Sequence, residues 1–335
     1  MKKYLLLIVA LALAMMFTSC AELLDPIWPS FNPPEFTTPT IDKEEEEKPL
    51  VPAVGLEYVL LTDSNGAEYY AVAGRGTCED EHILIPDEHE GKPIREIADE
   101  AFLNDTSLKA IHFSKSITKI GNLAFAGSAL TELVIPDNVT EVGGMVIAFA
   151  PVERLVIGNG ITAENLINLP FACSTALKEI VVSDDNTACY VEDGVLYANA
   201  EESEGSFLKV LIQYPTASEE TSFTVPSDVY GIWSFAFSCA NNLEEITIPS
   251  TVIPYQCFFW SDSLTKINFN IVLDDVLDTN TFLYTFTDYF VKGETIEPSI
   301  NGVSNYSIPN YTLVYDGGEI TKEGIDALVE DMISE

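Results

Sequence analysis

Three histidines and six cysteines are the scarcest reactive side chains in this 335-residue chain, and their spacing decides what chemistry is open to them. His82, His89 and His112 have no ligand or triad partner at a recognisable spacing, although the members of a Ser-His-Asp or Cys-His site meet in space rather than in sequence. No Gly-rich phosphate loop, His-Glu-x-x-His pair or Asp-x-Asp-x-Asp-Gly calcium loop occurs. The doublets Asp184-Asp185 and Asp274-Asp275 would be the carboxylates for glycoside hydrolysis, but neighbouring aspartates are common turn formers. The sequence therefore predicts no enzyme, no catalytic residue, no metal ligand and no cofactor.

Cys20 has a different setting. Lys2 and Lys3 precede an apolar run from Tyr4 to Phe17, and Thr18-Ser19 leads into Cys20. A charged start, a short apolar middle and a small-residue exit make residues 1–19 a secretory signal, too short to stay as a spanning helix. The exit resembles a bacterial lipobox. That resemblance implies a diacylglyceryl thioether on Cys20, which becomes the mature N-terminus; the other reading is an ordinary signal with a coincidental Cys. Ala21 follows rather than Asp, which by resemblance to Gram-negative lipoproteins favours the outer membrane. Several acyl chains on one residue hold durably, at about 0.8 kcal/mol per buried methylene.

The elements that follow repeat. LKAIHF (Leu108 to Phe113), LTELVI (Leu130 to Ile135), VERLVI (Val152 to Ile157), LKEIVV (Leu177 to Val182), LEEITI (Leu243 to Ile248) and LTKINF (Leu264 to Phe269) share one pattern. The first three copies start 22 residues apart and the last two 21 apart. A strand-like alternation behind a leading Leu, at that period, predicts a leucine-rich solenoid. Before the strands stand IREIADEAF, ITKIGNLAF and VYGIWSFAF, which should deliver Phe102, Phe125 and Phe237 inward. In the third and fourth copies, VGGMVIAFAP and AENLINLPFA blur this Ala-Phe landmark. No single turn buries its own apolar face, so neighbours must stack and the ends need caps.

Strand alternation fixes which side chains face out. With Ile83 and Phe223 added as strand centres, one outward ladder reads Leu84, His112, Val134, Val156, Val181, Thr224, Thr247, Asn268. A parallel one reads His82, Ala110, Glu132, Arg154, Glu179, Ser222, Glu245, Lys266. Val134, Val156 and Val181 beside Glu132, Arg154 and Glu179 form an apolar strip with a charged edge, as a protein-binding patch would. Equally, β-branched residues suit any exposed sheet face. A hairpin inserted over 189–214 offers Tyr190, Tyr197 and Tyr214 as secondary contact residues; their alternative role is to pack the hairpin onto the coil. Cys173 and Cys239 each sit four residues before a leading Leu. The Phe223 strand should separate their turns by about two spacings of ~4.8 Å, beyond the ~7 Å reach of a disulfide. Buried, unbonded thiols are expected there.

The pattern IP-x-x-V-x-x-I-x-x-x-A-F-x-x-x-x-x-L, seen as IPDNVTEVGG and VPSDVYGIWSFAFSCANNL with the hairpin CYVEDGVLYANAEESEGSFLKVLIQYP, resembles the BspA-like, or Treponema pallidum type, leucine-rich repeat family of bacterial surface proteins. The likeness covers residues 56 to 270. It implies a mainly β solenoid with short helical or irregular segments, and adhesion to host proteins or neighbouring cells at the cell surface. A glycan-binding or envelope-structural lipoprotein on the same scaffold is the alternative, and it would require aromatic platforms.

Composition sets the remaining bounds. Without the signal, 14 basic residues face 53 acidic ones, a net of 14 − 53 = −39. That potential opposes nucleic acid and anionic membranes. It permits basic partners and divalent cations, and surface acidity kept for solubility would look the same. Seven prolines and the run DKEEEEK (Asp42 to Lys48) make residues 20–52 a tether that cannot bury enough to fold. Residues 53–82, with Asn65-Gly66 between alternating arms, read as a hairpin cap, and 83–270 as the solenoid. Residues 271–335 read as an α/β cap with a strand around Tyr311 to Tyr315. Its helix, about 321–333, would carry Ile325, Leu328, Val329, Met332 and Ile333 on one face, as a cap or as a partner-binding helix.

Overall fold

The computed structural model describes residues 51–166, 168–203, 206–249, 257–258, 260–261, 263–270, 312–315 and 318–321. The expected signal segment, Cys20, the tether up to residue 50 and the helix beyond Thr321 lie outside the described residues.

The alternating motifs form parallel ladders. Glu132–Ile135, Arg154–Ile157 and Glu179–Val182 pair in register, with Val134 opposite Val156 and Val156 opposite Val181. Leu133 and Leu155 are wholly buried, and the residues between them and the ladder's ends point out. His82–Leu84 pairs with Ala110–His112 in the same way. So do Ser222–Thr224, Glu245–Pro249 and Lys266–Asn270. Thr312–Tyr315 adds to Lys266–Asn270 and turns back antiparallel into Gly318–Thr321. The pairings up to Lys266–Asn270 are the ones the repeat alignment predicts, divided among separate sheets where the alignment suggests one continuous ladder. Those of Thr312–Tyr315 and Gly318–Thr321 lie beyond the repeats, and Thr321 ends a strand where the sequence suggests the start of a helix.

A second, shorter ladder runs through the segments that precede the landmark. Glu68–Gly74, Lys92–Ile97, Lys119–Ile120 and Glu141–Val142 stack in parallel, with Ile97, Ile120 and Val142 in line and buried. Each of these coils is thus closed by two strands, and the one α-helix among the described residues is the single turn Ala163–Leu166. The N-terminal hairpin is a coil in its own right. Glu57–Thr62 pairs antiparallel with Glu68–Gly74 around a turn in which Asp63 Oδ1 accepts from the Asn65 and Ala67 amides. Just upstream, Pro52 bridges Leu84 and the Ala53 N–H donates to the Leu84 carbonyl at 2.9 Å, adding a rung to the first strand ladder.

The Ala-Phe landmark is a turn with two left-handed residues. One immediately precedes the pair: Glu100, Leu123, Met145, Leu169 and Phe235. The other falls two after the Phe position: Asn104, Gly127, Phe149, Cys173, Cys239 and Trp260. A left-handed L-residue costs roughly 1–2 kcal/mol. Its recurrence at fixed places makes it repeat geometry, upheld by hydrogen bonds between turns. Phe102 N–H donates to Ala124 O at 2.8 Å, Phe125 to Val146 at 2.9 Å and Phe237 to Cys257 at 2.9 Å. This resolves the blurred copies. Val146-Ile147 and Pro170-Phe171 take the landmark's place, and Phe149 lies at the second left-handed position. Phe102, Phe125, Phe171 and Phe237 are each no more than 1 % exposed.

The inserted hairpin is built from Cys189–Glu192, Val195–Ser203 and Ser206–Gln213, and its last strand pairs in parallel with Val229–Ile232. It therefore replaces a short strand of the second ladder. Tyr214 then stands where a landmark Phe would, its N–H donating to Ala236 O at 2.8 Å. One expectation is corrected here. Cys173 and Cys239 are buried, but the Cys173 N–H donates directly to Ser238 Oγ at 3.0 Å, so no part of the Phe223 turn separates these segments at that height. That turn is entered from the hairpin at Tyr214 and passes on through Ala217, whose N–H bonds to Leu177 O at 2.9 Å.

Candidate functional site

The strip Val134, Val156, Val181 sits where three parallel strands hold it in register, so its side chains are about 4.8 Å apart across the sheet. Val134 is 42 % exposed, while Val156 and Val181 are half-buried. Along its edge the Arg154 guanidinium joins both neighbours. Nε donates to Glu179 Oε2 at 2.9 Å, and Nη1 donates to Glu132 Oε1. Those bonds hold Arg154 protonated more firmly than usual, the Glu132 hydrogen bond contributing most. The sequence places these six residues on one face; that the charged edge is closed on itself as a triad comes only from the geometry. An exposed triad of this kind contributes little to stability, so its effect is on what the face presents.

In the separate sheet that contains Glu245–Pro249 and Lys266–Asn270, the corresponding positions are polar. Glu245 accepts from Lys266 Nζ at 2.9 Å and Asn268 Nδ2 at 2.6 Å, which holds its carboxyl below the usual carboxylate range. Asn268 also donates to Thr247 Oγ1 at 3.3 Å.

The tyrosines of the hairpin are placed otherwise. Tyr197 is 1 % exposed and Tyr214 3 %, so neither offers a ligand a surface. Tyr197 stacks on the half-buried Tyr190 at 5.9 Å and lies 4.4 Å under Lys209 Nζ, itself bonded to Glu192 at 2.8 Å and Asp228 at 3.3 Å. Burial pushes the Tyr197 hydroxyl up to about 12. Tyr214 packs edge-on against Phe223 at 5.2 Å and beside Phe237 at 5.2 Å. These two fasten the hairpin to the coil. An open polar cleft lies between the turns at Glu219, Thr221, Asn241, Asn242, Glu244 and Ser263, with no aromatic wall.

His89 is held between rings, 4.0 Å from Tyr58 and 4.8 Å from Tyr70. His82 and His112 lie exposed on the strand face. No group of three or more His, Cys, Asp or Glu residues among the described residues is arranged to hold a metal ion, and no described helix is long and apolar enough to cross a membrane. Cys78 and Cys189 are free and buried. Burial pushes the Cys189 thiol up to about 12. At pH 8 only about one part in ten thousand would be thiolate. Native chain should therefore leave Cys189 unmodified by a thiol-reactive probe that labels it fully after denaturation; mass spectrometry of the Cys189 peptide reads the difference, and rapid native labelling would refute the burial.

Stacked coils closed by in-register parallel strands, with a Phe ladder inside and capped by a hairpin, define a leucine-rich repeat solenoid. Six copies of the BspA type leucine rich repeat region match residues 80–193 and 216–311, and the chain belongs to that family. The gap between the two stretches falls on the inserted hairpin. No curated protein matches the sequence. Among solved structures, a leucine-rich repeat protein from Eubacterium ventriosum is 19 % identical, with 64 % of this chain and 70 % of that chain covered and a TM-score of 0.39. A leucine rich cell surface protein from Faecalibacterium prausnitzii is 17 % identical, covering 84 % and 98 %, at a TM-score of 0.35. The leucine rich repeat protein of T. pallidum is 16 % identical, covering 70 % and 95 %, at 0.34.

Proposed function

We propose that this chain is a lipid-anchored recognition protein of the bacterial cell surface, held in the outer membrane through Cys20 and binding other proteins without catalysis. One observation carries the reading: an exposed, in-register strand face bearing Val134, Val156 and Val181 with the Glu132–Arg154–Glu179 triad along its edge. Parallel strands fixed at each rung give such a face rigidity, which lowers the ordering cost of binding. The tether of residues 20–52 would supply reach from the membrane, at roughly 3.1 Å per residue where extended. The glycan-binding alternative finds no stacking platform on either outward ladder or in the polar cleft, whose walls carry no aromatic residue.

The test is protease treatment of intact cells, lysed cells and cells expressing Cys20→Ser. Loss of the solenoid from intact cells is expected, with Cys20→Ser released from the membrane fraction. Protection until lysis would put the face in the periplasm and replace adhesion by an envelope role.

A further inference from the structure

Among the described residues, the cations of the solenoid are committed to carboxylates of the chain itself. Nine of the ten described lysine and arginine side chains, all but Lys115, lie in ion pairs with eleven carboxylates. Most of these pairs join residues on neighbouring turns: Lys109 with Glu81, Lys119 with Glu96, Lys178 with Glu153, Lys266 with Glu245. An anionic ligand would have to take a cation away from a carboxylate already bonded to it. A cationic ligand displaces nothing, since carboxylates remain in excess over a chain whose net charge is −37.

The strand-face strip sharpens this. Its triad sums to one minus two, a net of −1. Arg154 takes one oxygen from each neighbour, Glu132 Oε1 and Glu179 Oε2. The other oxygen of each makes no further hydrogen bond among the described residues, and these side chains are 48 % and 58 % exposed. An apolar row thus runs parallel to a row that offers two outward carboxylate oxygens.

Resting on the reading of the strip as the binding face, we propose that it takes an extended polypeptide segment in which apolar side chains alternate with lysine or arginine. Apolar side chains would cover Val134, Val156 and Val181, and cations would meet the outer oxygens of Glu132 and Glu179. The valine row makes a simple counterion insufficient as ligand, and the committed cations with the excess of carboxylates disfavour polyanions such as nucleic acid.

A fluorescent peptide alternating Val and Lys, and its counterpart with Glu for Lys, would be titrated against the full chain and read by anisotropy. The Lys peptide should bind, weaken at least tenfold between about 20 mM and 500 mM salt, and weaken at least tenfold with Val156→Lys. Thr247→Lys, which adds the same charge at the equivalent strand position of a different sheet, should leave affinity within about twofold. Circular dichroism checks that the variants fold. No binding of the Lys peptide at about 1 mM overturns the proposal. If the Lys peptide binds wild type and Val156→Lys alike, the strip is not the contact and the underlying reading fails with it. If the Glu peptide binds wild type as well as the Lys peptide does and Val156→Ser weakens it, the strip stands and the cationic partner is wrong.

Discussion

Phe125→Ala is expected to destabilise the solenoid by about 3–5 kcal/mol, the range for removing a fully buried aromatic ring. Phe125 is 0 % exposed, and its ring lies 5.8 Å from Phe102 and 6.1 Å from Phe113, so the lost volume has neighbours on two sides that backbone ladders hold in place. The structure around the cavity cannot collapse without breaking the bonds from Phe102 N–H to Ala124 O and from Phe125 N–H to Val146 O. Because the Phe125 turn is bonded to the turns on either side of it, through Ala124 O and Val146 O, the effect should stay local at first. Amide exchange should quicken from about Phe102 to Ile147 before it does near Phe237. Urea unfolding measures the size of the loss, with Phe207→Ala as the control, since that ring is 60 % exposed and should change stability by less than about 0.5 kcal/mol. A loss below about 1 kcal/mol for Phe125→Ala would mean that the landmark does not carry the core.

The strand ladder was legible because a period-two pattern recurring every 21 or 22 residues admits one stacking register. Leu133 and Leu155 in, Val134 and Val156 out, follows from alternation alone. The Asn65-Gly66 hairpin was legible for a similar local reason, its turn chemistry. Two things lay beyond the sequence. The second ladder uses strands as short as Lys119–Ile120 and Glu141–Val142, whose two residues are too few to show a period. Left-handed residues such as Leu123, Met145 and Phe235 carry no signature, because bulky side chains disfavour that region and only neighbouring turns hold them there. The misplaced separation of Cys173 and Cys239 has the same origin. Counting strands measures height along one ladder, whereas the landmark turns of Cys173 and Ser238 meet directly on another side of the coil, past the Tyr214 to Ala217 segment.

At the candidate site, residue identity was legible and partnership was not. The repeat register put Arg154 between Glu132 and Glu179, but only the structure shows that it bonds both and so ceases to be a cation available to a ligand. Buried Tyr197 and Tyr214 make the complementary point. An aromatic residue in an inserted hairpin looks the same in sequence whether it faces solvent or fastens the hairpin down.

Gly121→Ala should cost about 1–3 kcal/mol or more, by the physics of forcing volume into a packed contact. A Cβ at Gly121 would stand 2.5 Å from Asp99 Oδ1 and 2.6 Å from the Ala98 carbonyl carbon, and closer still to Asp99 N. Backbone cannot swing aside as a flexible side chain would. The contacts in the way also belong to the ladder itself: Gly121 N–H donates to Ile97 O at 2.8 Å, and Asn122 N–H to Asp99 Oδ1 at 2.7 Å. Gly143 repeats the arrangement one turn later, 2.5 Å from Asn122 N, so glycine at this corner sets how closely successive coils approach. Gly74→Ala is the matched comparison. Its Cβ would meet Ala101 O at 3.5 Å and Glu57 Oε2 at 3.6 Å, ordinary contacts. Both substitutions remove the same backbone freedom from the unfolded chain, worth about 0.4–1 kcal/mol in favour of the variant, so that contribution cancels in the difference and the clash remains. Urea midpoints should therefore fall for Gly121→Ala and hold or rise for Gly74→Ala. Equal midpoints would mean that the coils have slack at this corner, and that strand pairing rather than close backbone approach fixes their spacing.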